Sequence, residues 1–107
     1  MKVNRFEIYL VRLDPTLGSE IAKTRPCLVV SPDELAHYVR TVIVAPMTTA
    51  SKPYPFRVPC LFQGTVGSIA LDQLRAVDKL RLVKLLGVLD QPTQEAVLKC
   101  LAKFFAP

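Results

Sequence analysis

The sequence predicts a mainly β (α+β) fold, a small bent antiparallel sheet or barrel with short helical segments and a C-terminal α-helix packed on one side. Two features predict it. Short apolar runs rich in β-branched and aromatic residues, "FEIYLVRL", "CLVVS" and "TVIVAP", succeed one another and are bounded by proline, glycine and aspartate. Helical periodicity behind a capping residue is strongest at the end, from Asp90 to Phe105.

Residues 6 to 13 read as the first strand, with Glu7 and Arg12 its only charges. Residues 14 to 25 carry Pro15, Gly18 and several polar groups and read as a long loop, the kind that often carries function in a small domain. "CLVVS" and "TVIVAP" lack polar alternation, as expected of strands buried on both faces, and Pro46 is expected to end the second of these. Between them "PDELAHYVR" suits one or two helical turns. "YPFRV" places Tyr54, Phe56 and Val58 on one face, and the prolines at 53, 55 and 59 confine it to a sheet edge or a short pairing. Gly64 and Gly67 are expected to turn the chain into a strand near Ile69 to Leu71 that continues toward Gln73. A helical turn around Lys79 to Leu82 and a strand near Leu85 to Val88 follow. In the last helix Asp90 caps, Pro92 occupies the first turn, and Val97, Leu98, Leu101, Phe104 and Phe105 form an apolar face.

Residues 1 to 107 are expected to form a single domain, long enough to bury a core without disulfides or metal. Half of the residues are hydrophobic and 21% are charged, which excludes disorder as a description of the whole. Fourteen Lys and Arg against nine Asp and Glu give a net charge of +5, which favours polyanionic partners. Glu7 and Arg12 break the N-terminal apolar run, against a secretory signal, and no run reaches membrane-spanning length. The expected location is cytoplasmic, with no membrane partner. Cys27, Cys60 and Cys100 form no C-x-x-C pair, so reduced buried thiols are expected, with no metal site and no cofactor. His37 is the single histidine, which excludes catalysis by two imidazoles of one chain.

Candidate chemistry centres on Arg25. Pro26 disfavours helical backbone before it, so the arginine enters the second strand extended, with a planar and permanently charged fork that suits phosphate. It serves either as that clamp or as an anchor paired with Glu20 or Asp72. Thr48 and Thr49, after Pro46, offer hydroxyls to a ligand or cap a turn. Glu20 is either an exposed charge or a base whose pKa burial raises. Asp72 and Gln73 interrupt an apolar segment and need partners, in a site or in a structural network. Arg75, Lys79, Arg81 and Lys84 form a basic run, a solvated face or a track for phosphates. Lys23 stands in the loop beside Arg25.

The segments "EIYLVRLDPTLGSE", "TRPCLVVSPDEL", "TVIVAPMTT", "YPFRV" and "LDQLRAVDKLRL" are collinear. Through them the chain resembles, along nearly its whole length, the MazF/PemK family of toxin endoribonucleases from bacterial toxin–antitoxin pairs. The resemblance implies a strongly curved antiparallel β-barrel with a terminal helix, a homodimer, and metal-independent cleavage of single-stranded RNA at short sequences. It places the catalytic pair on Arg25 and Thr48, with Glu20 of "GSE" beside them. Candidate RNA contacts are Lys23, Thr49, Lys52, Tyr54, Asp72 and Gln73, followed by Arg75, Lys79 and Arg81 of the basic run. Ala70 and Leu17 stand where one branch of the family has a basic residue and a histidine, so that branch's proton-transfer scheme does not carry over. Phe6 replaces a common glycine, a change of packing rather than chemistry.

The implied chemistry is attack of the 2′-hydroxyl on the adjacent phosphorus, leaving a 2′,3′-cyclic phosphate and a 5′-hydroxyl. Arg25 would stabilise the phosphorane, Thr48 would bind a phosphate oxygen, and Glu20 is the carboxylate available as base. Unstacked bases would be read by loops at residues 15 to 24, 49 to 55 and 60 to 67, with Tyr54 and Phe62 as stacking candidates or core residues. The family pattern also implies a cognate antitoxin whose acidic extended segment fills the RNA channel, and contact with DNA only through that antitoxin. Two other readings compete: a gyrase-poisoning protein of the CcdB type, and an RNA-binding domain that does not cut.

Overall fold

In the computed structural model, which describes residues 2–49 and 54–107, the apolar runs become strands of one seven-stranded sheet whose pairings are all antiparallel. In chain order the elements are β1 (Glu7–Arg12), β2 (Thr24–Val29), α1 (Asp33–Ala36), β3 (Thr41–Thr48), β4 (Arg57–Phe62), β5 (Thr65–Ala70), β6 (Arg75–Asp78), β7 (Leu82–Val88) and α2 (Gln91–Phe105). Tight 3-10 turns at Leu71–Gln73 and Lys79–Arg81 flank β6. Across the sheet the order is β4-β5-β3-β2-β1-β7, with β6 paired to the first half of β3.

Both faces are buried, which is why the central strands carry no polar alternation. Ile8, Leu28, Ala45 and Ile69 face the core under α2, where Val97 is fully buried. Tyr9, Val11, Cys27, Val29, Val44 and Val77 face the opposite core. The sheet curls until its two ends touch. Phe62, closing β4, lies so close to Gly87 of β7 that a Cβ there would sit 3.2 Å from the ring, and Gln63 donates from Nε2 to the Leu86 carbonyl at 3.0 Å. The result is a half-barrel with a C-terminal helix, as expected.

The prolines behave differently from expectation. The expected loop 14–25 ends earlier, because β2 starts at Thr24 and Arg25 is a strand residue opposite Val11. Pro46 lies inside β3 rather than ending it. The reason is which edge each nitrogen faces, since successive strand residues point their N–H groups to alternate edges. Ile43 bonds toward β2 through its carbonyl, so Pro46 faces the other edge, between the last β6 pair at Val44 and the first β5 pair at Met47. Val29 bonds toward β1, so Pro26 faces β3 just past Cys27–Pro46, where that ladder stops. Pro46 removes no ladder bond, whereas Pro26 has no N–H for the next one, and the β2–β3 ladder stops at Cys27–Pro46, short of Arg25 and Thr48.

Gly67 is not a turn residue but sits within β5, and the segment after Ala70 tightens into a 3-10 turn instead of continuing as strand through Gln73. β4 begins at Arg57, with Phe56 before it in a left-handed conformation (φ 63°), so Phe56 is not a strand residue sharing a face with Val58. Its ring meets Phe104 edge-on at 4.9 Å. In α2, Asp90 accepts from the Thr93 N–H at 3.1 Å, and Val97, Cys100 and Leu101 pack inward. Leu98 and Phe105, two turns apart on another stripe, are exposed and leave the expected apolar face. Among the described residues no helix is long and apolar enough to cross a membrane.

Candidate active site

Past the end of the β2–β3 ladder lies a cavity of about 230 Å³. Arg25 and Pro26 form one wall, Met47, Thr48 and Thr49 the end of β3, and Cys60, Phe62, Gln63, Thr65, Gly67 and Ser68 the wall from the β4–β5 hairpin. Arg25 is half-buried, and its Nε donates to the Ala22 carbonyl at 2.9 Å. Among the described residues its terminal nitrogens have no hydrogen-bond partner. The guanidinium is thus tethered through Nε to its own loop, and Arg25 lines the cavity that Thr48 also lines. Neither Glu20 nor Asp72 pairs with it: the described residues offer no salt bridge to Arg25.

Two further cavities continue this one. Thr48 is shared with a cavity of about 530 Å³ lined also by Tyr54, Arg57, Asp72 and Gln73. Asp72 and Gln73 are shared in turn with one of about 400 Å³ that includes Leu17, Glu20 and Arg75. Arg25, Thr48, Thr49, Tyr54, Asp72, Gln73, Arg75 and Glu20 therefore line a series of cavities that share residues, with Arg25 and Glu20 in different compartments. Glu20 is exposed, and its Oε1 accepts from the Leu17 N–H at 2.6 Å, closing its own loop.

Gln73 is a structural tie: its Oε1 accepts from the Ile21 N–H at 2.8 Å and its Nε2 donates to the Ser19 carbonyl at 3.3 Å, which docks the 15–24 loop on the 3-10 turn. Asp72 is engaged by Arg57, which sequence reasoning missed. Arg57 donates from Nε and Nη2 to the two carboxylate oxygens at 2.9 and 3.0 Å, and its guanidinium lies over the Tyr54 ring at 4.8 Å. This fork holds the Asp72 carboxyl below its ordinary pKa and raises that of Arg57. The only sequence signal was a charge beside an aromatic in "YPFRV"; its partner lies 15 residues away.

The basic run is largely spent on carbonyls. Arg75 lines the groove but donates to the Leu13 carbonyl at 3.0 Å. Lys79 bonds the Ala36 carbonyl at the end of α1. Arg81 bonds the Arg12 and Asp14 carbonyls and lines a separate hollow with Arg12 and Asp78. Lys79 and Arg81 are therefore not brought to the groove. Lys23, exposed with φ 70°, turns the loop just before Arg25, and its N–H is held by Asp14 Oδ1 at 3.1 Å. Thr49 lines the first cavity, and Lys52 lies outside the described residues.

Burial pushes the Cys27 thiol up to about 12 and raises that of Cys60, so both are protonated at neutral pH and neither serves as a thiolate nucleophile. His37 pairs with Asn4 Oδ1 at 3.0 Å. Among the described residues no group of three or more His, Cys, Asp or Glu side chains converges as a metal-ligand set.

Comparison with known proteins shows the family and the fold. Residues 4–105 match the family described as PemK-like, MazF-like toxins of type II toxin–antitoxin systems. The chain is 37% identical over 81 residues to endoribonuclease PemK of Escherichia coli, an alignment spanning 71% of this chain and 61% of that protein. It is 32% identical over 103 residues to endoribonuclease EndoA of Bacillus subtilis, covering 91% and 89%. A crystal structure of MazF from Deinococcus radiodurans superposes with a TM-score of 0.85 at 24% identity, over 97% of this chain and 96% of that one, a likeness of fold.

Proposed function

Since the chain belongs to the PemK-like, MazF-like toxin family, we propose that it is an endoribonuclease toxin that cuts single-stranded RNA at short sequences. The observation that carries this is the shared cavity of Arg25 and Thr48, with the arginine tethered through Nε to the Ala22 carbonyl.

The nucleophile belongs to the substrate. The 2′-hydroxyl oxygen bonds to phosphorus as the P–O5′ bond breaks, one proton leaves the 2′-oxygen and one is gained by the 5′-oxygen, and no metal is needed for that balance. Arg25 neutralises the equatorial oxygens of the phosphorane, where a bidentate charged donor gains most. Thr48, at the end of β3, donates to a phosphate oxygen. Glu20 acts as base by exchanging its hold on the Leu17 N–H for the 2′-hydroxyl. The groove through Tyr54, Arg57, Asp72 and Gln73 takes the flanking nucleotides, with Thr49 and Arg75 at its sides.

The family is one of toxin–antitoxin pairs, and the net charge of +5 suits a cognate antitoxin with an acidic extended segment lying in this groove. We assign the active form as a homodimer in the cytoplasm, with DNA reached only through the antitoxin. The test is to incubate purified protein with a long RNA in EDTA and map the ends. Cyclic-phosphate and 5′-hydroxyl ends are expected, and a folded Arg25→Ala chain should lose on the order of 10²–10³ in rate. Undiminished cleavage by Arg25→Ala defeats the assignment, and gyrase poisoning or RNA retention without cutting would replace it.

A further inference from the structure

The hairpin wall of the Arg25 cavity carries groups that phosphate chemistry does not use. β4 and β5 pair as far as Phe62–Thr65, so Gln63 and Gly64 are the two turn residues, with φ of 50° and 78°. A two-residue turn with both φ values positive normally takes asparagine, aspartate or glycine first. Glutamine is a costly choice there, and the side chain shows what is gained. It reaches across to β7, where Nε2 donates to the Leu86 carbonyl at 3.0 Å. A carbonyl can only accept, so this bond also decides which end of the amide is which. The oxygen is left as an oriented acceptor on a residue lining the cavity, and among the described residues it has no partner.

Phe62, the preceding residue, is pinned by the same strand, its ring edge packed on Gly87. On the same wall Ser68 Oγ is buried and has no hydrogen-bond partner among the described residues. A buried hydroxyl left so is costly unless a ligand completes it. An aromatic surface, a fixed amide acceptor and an orphan hydroxyl thus share one cavity with the phosphate clamp.

We infer that this wall is a nucleobase subsite: the base flanking the scissile phosphate stacks on Phe62 and presents an N–H donor to Gln63 Oε1, so that Gln63 selects the nucleotide at one position of the cleaved sequence. The inference rests on the endoribonuclease reading. Phe62 supplies affinity without selectivity, because every base has a stacking face. Selectivity belongs to Gln63, whose acceptor rewards a donor edge and leaves an acceptor edge unpaired. β7 acts as the jig that holds both.

The test uses a single-stranded RNA pool with randomised sequence, read by sequencing both the cut ends and the molecules retained by the protein. Gln63→Asn keeps the turn, since asparagine favours this conformation, but is too short to hold the Leu86 carbonyl and the base together. Discrimination at one position beside the cut should fall by about ten-fold, the loss of one good base contact, while the other positions keep theirs. Ser68→Ala should weaken the same position and no other. Phe62→Leu should lower retention of all sequences alike. Cleavage by folded Gln63→Asn and Ser68→Ala chains with every position unchanged overturns the subsite and leaves the nuclease standing. Retention selective at a Gln63-dependent position without cutting upholds the subsite and removes the nuclease. Neither cutting nor selective retention by the wild-type chain removes both.

Discussion

Gly67 of β5 and Thr48 of β3 approach so closely that a Cβ on the glycine would lie 2.5 Å from the Thr48 carbonyl oxygen and 3.3 Å from its carbon. Both are backbone atoms and cannot swing aside. The β3–β5 ladder ends at Thr48–Ser68, so the absence of a side chain at 67 lets the last pair close and sets the height of Thr48 in the cavity. Gly67→Ala must push the strand ends apart. The expected cost is about 1–3 kcal/mol of stability, as for an overpacked site, with a fall in cleavage larger than the lost stability explains. Urea denaturation and the single-turnover rate measured on the folded fraction check this; wild-type rate in a destabilised Gly67→Ala chain would show that Thr48 needs no such placement.

The Arg57–Asp72 fork makes a pH prediction. Asp72 has a lowered pKa, owing first to its hydrogen bonds from Arg57, so the native state favours the carboxylate more than the unfolded chain does. Its contribution is fully present above the unfolded value near 3.8 and is lost as pH falls through the lower native value. Asp72→Asn should therefore cost on the order of 1 kcal/mol at neutral pH, the carboxylate being too exposed for more. The difference between wild type and variant should shrink as pH drops below that unfolded value. Urea titrations across that range decide it, and a pH-independent difference would mean that the pair acts through packing on Tyr54 instead.

What was legible in the sequence follows from which signals are local. "CLVVS" and "TVIVAP" show buried strands because a residue shielded on both faces has no reason to alternate, and Asp90 with Pro92 marks a helix start within one turn of chain. Pro46 reads as a strand end in the sequence because the cost of a missing N–H depends on which edge it faces, a fact of sheet topology. β6, "RAVD", buries only Val77 and carries charges at both ends, so nothing local marks it as a strand. In the site, Arg25 stood out through the proline behind it. Arg57 did not, since its partner is reached only when β4 and the 3-10 turn after β5 come together. Gln63 has no local signal, because the carbonyl that orients it belongs to β7.

Thr48 separates hydroxyl chemistry from strand shape. Thr48→Ser keeps a donor and loses a methyl group, whereas Thr48→Val keeps the branched outline suited to β3 and loses the donor. Cleavage should fall by about ten-fold or more in Thr48→Val and much less in Thr48→Ser, if one phosphate hydrogen bond is lost from the transition state. A larger loss in Thr48→Ser than in Thr48→Val would assign Thr48 to packing.

Glu20 is the residue on which the proton account turns. It lies in the compartment beyond Asp72 and Gln73, and its Oε1 is engaged with the Leu17 N–H. A glutamine at this position still offers a carbonyl oxygen to that N–H, so Glu20→Gln preserves the loop while removing a base. If Glu20 takes the 2′-hydroxyl proton, the variant should lose roughly 10²-fold in single-turnover rate. A rate within about two-fold of wild type would leave Arg25 and Thr48 as an electrostatic clamp and assign proton removal to solvent or to the substrate itself.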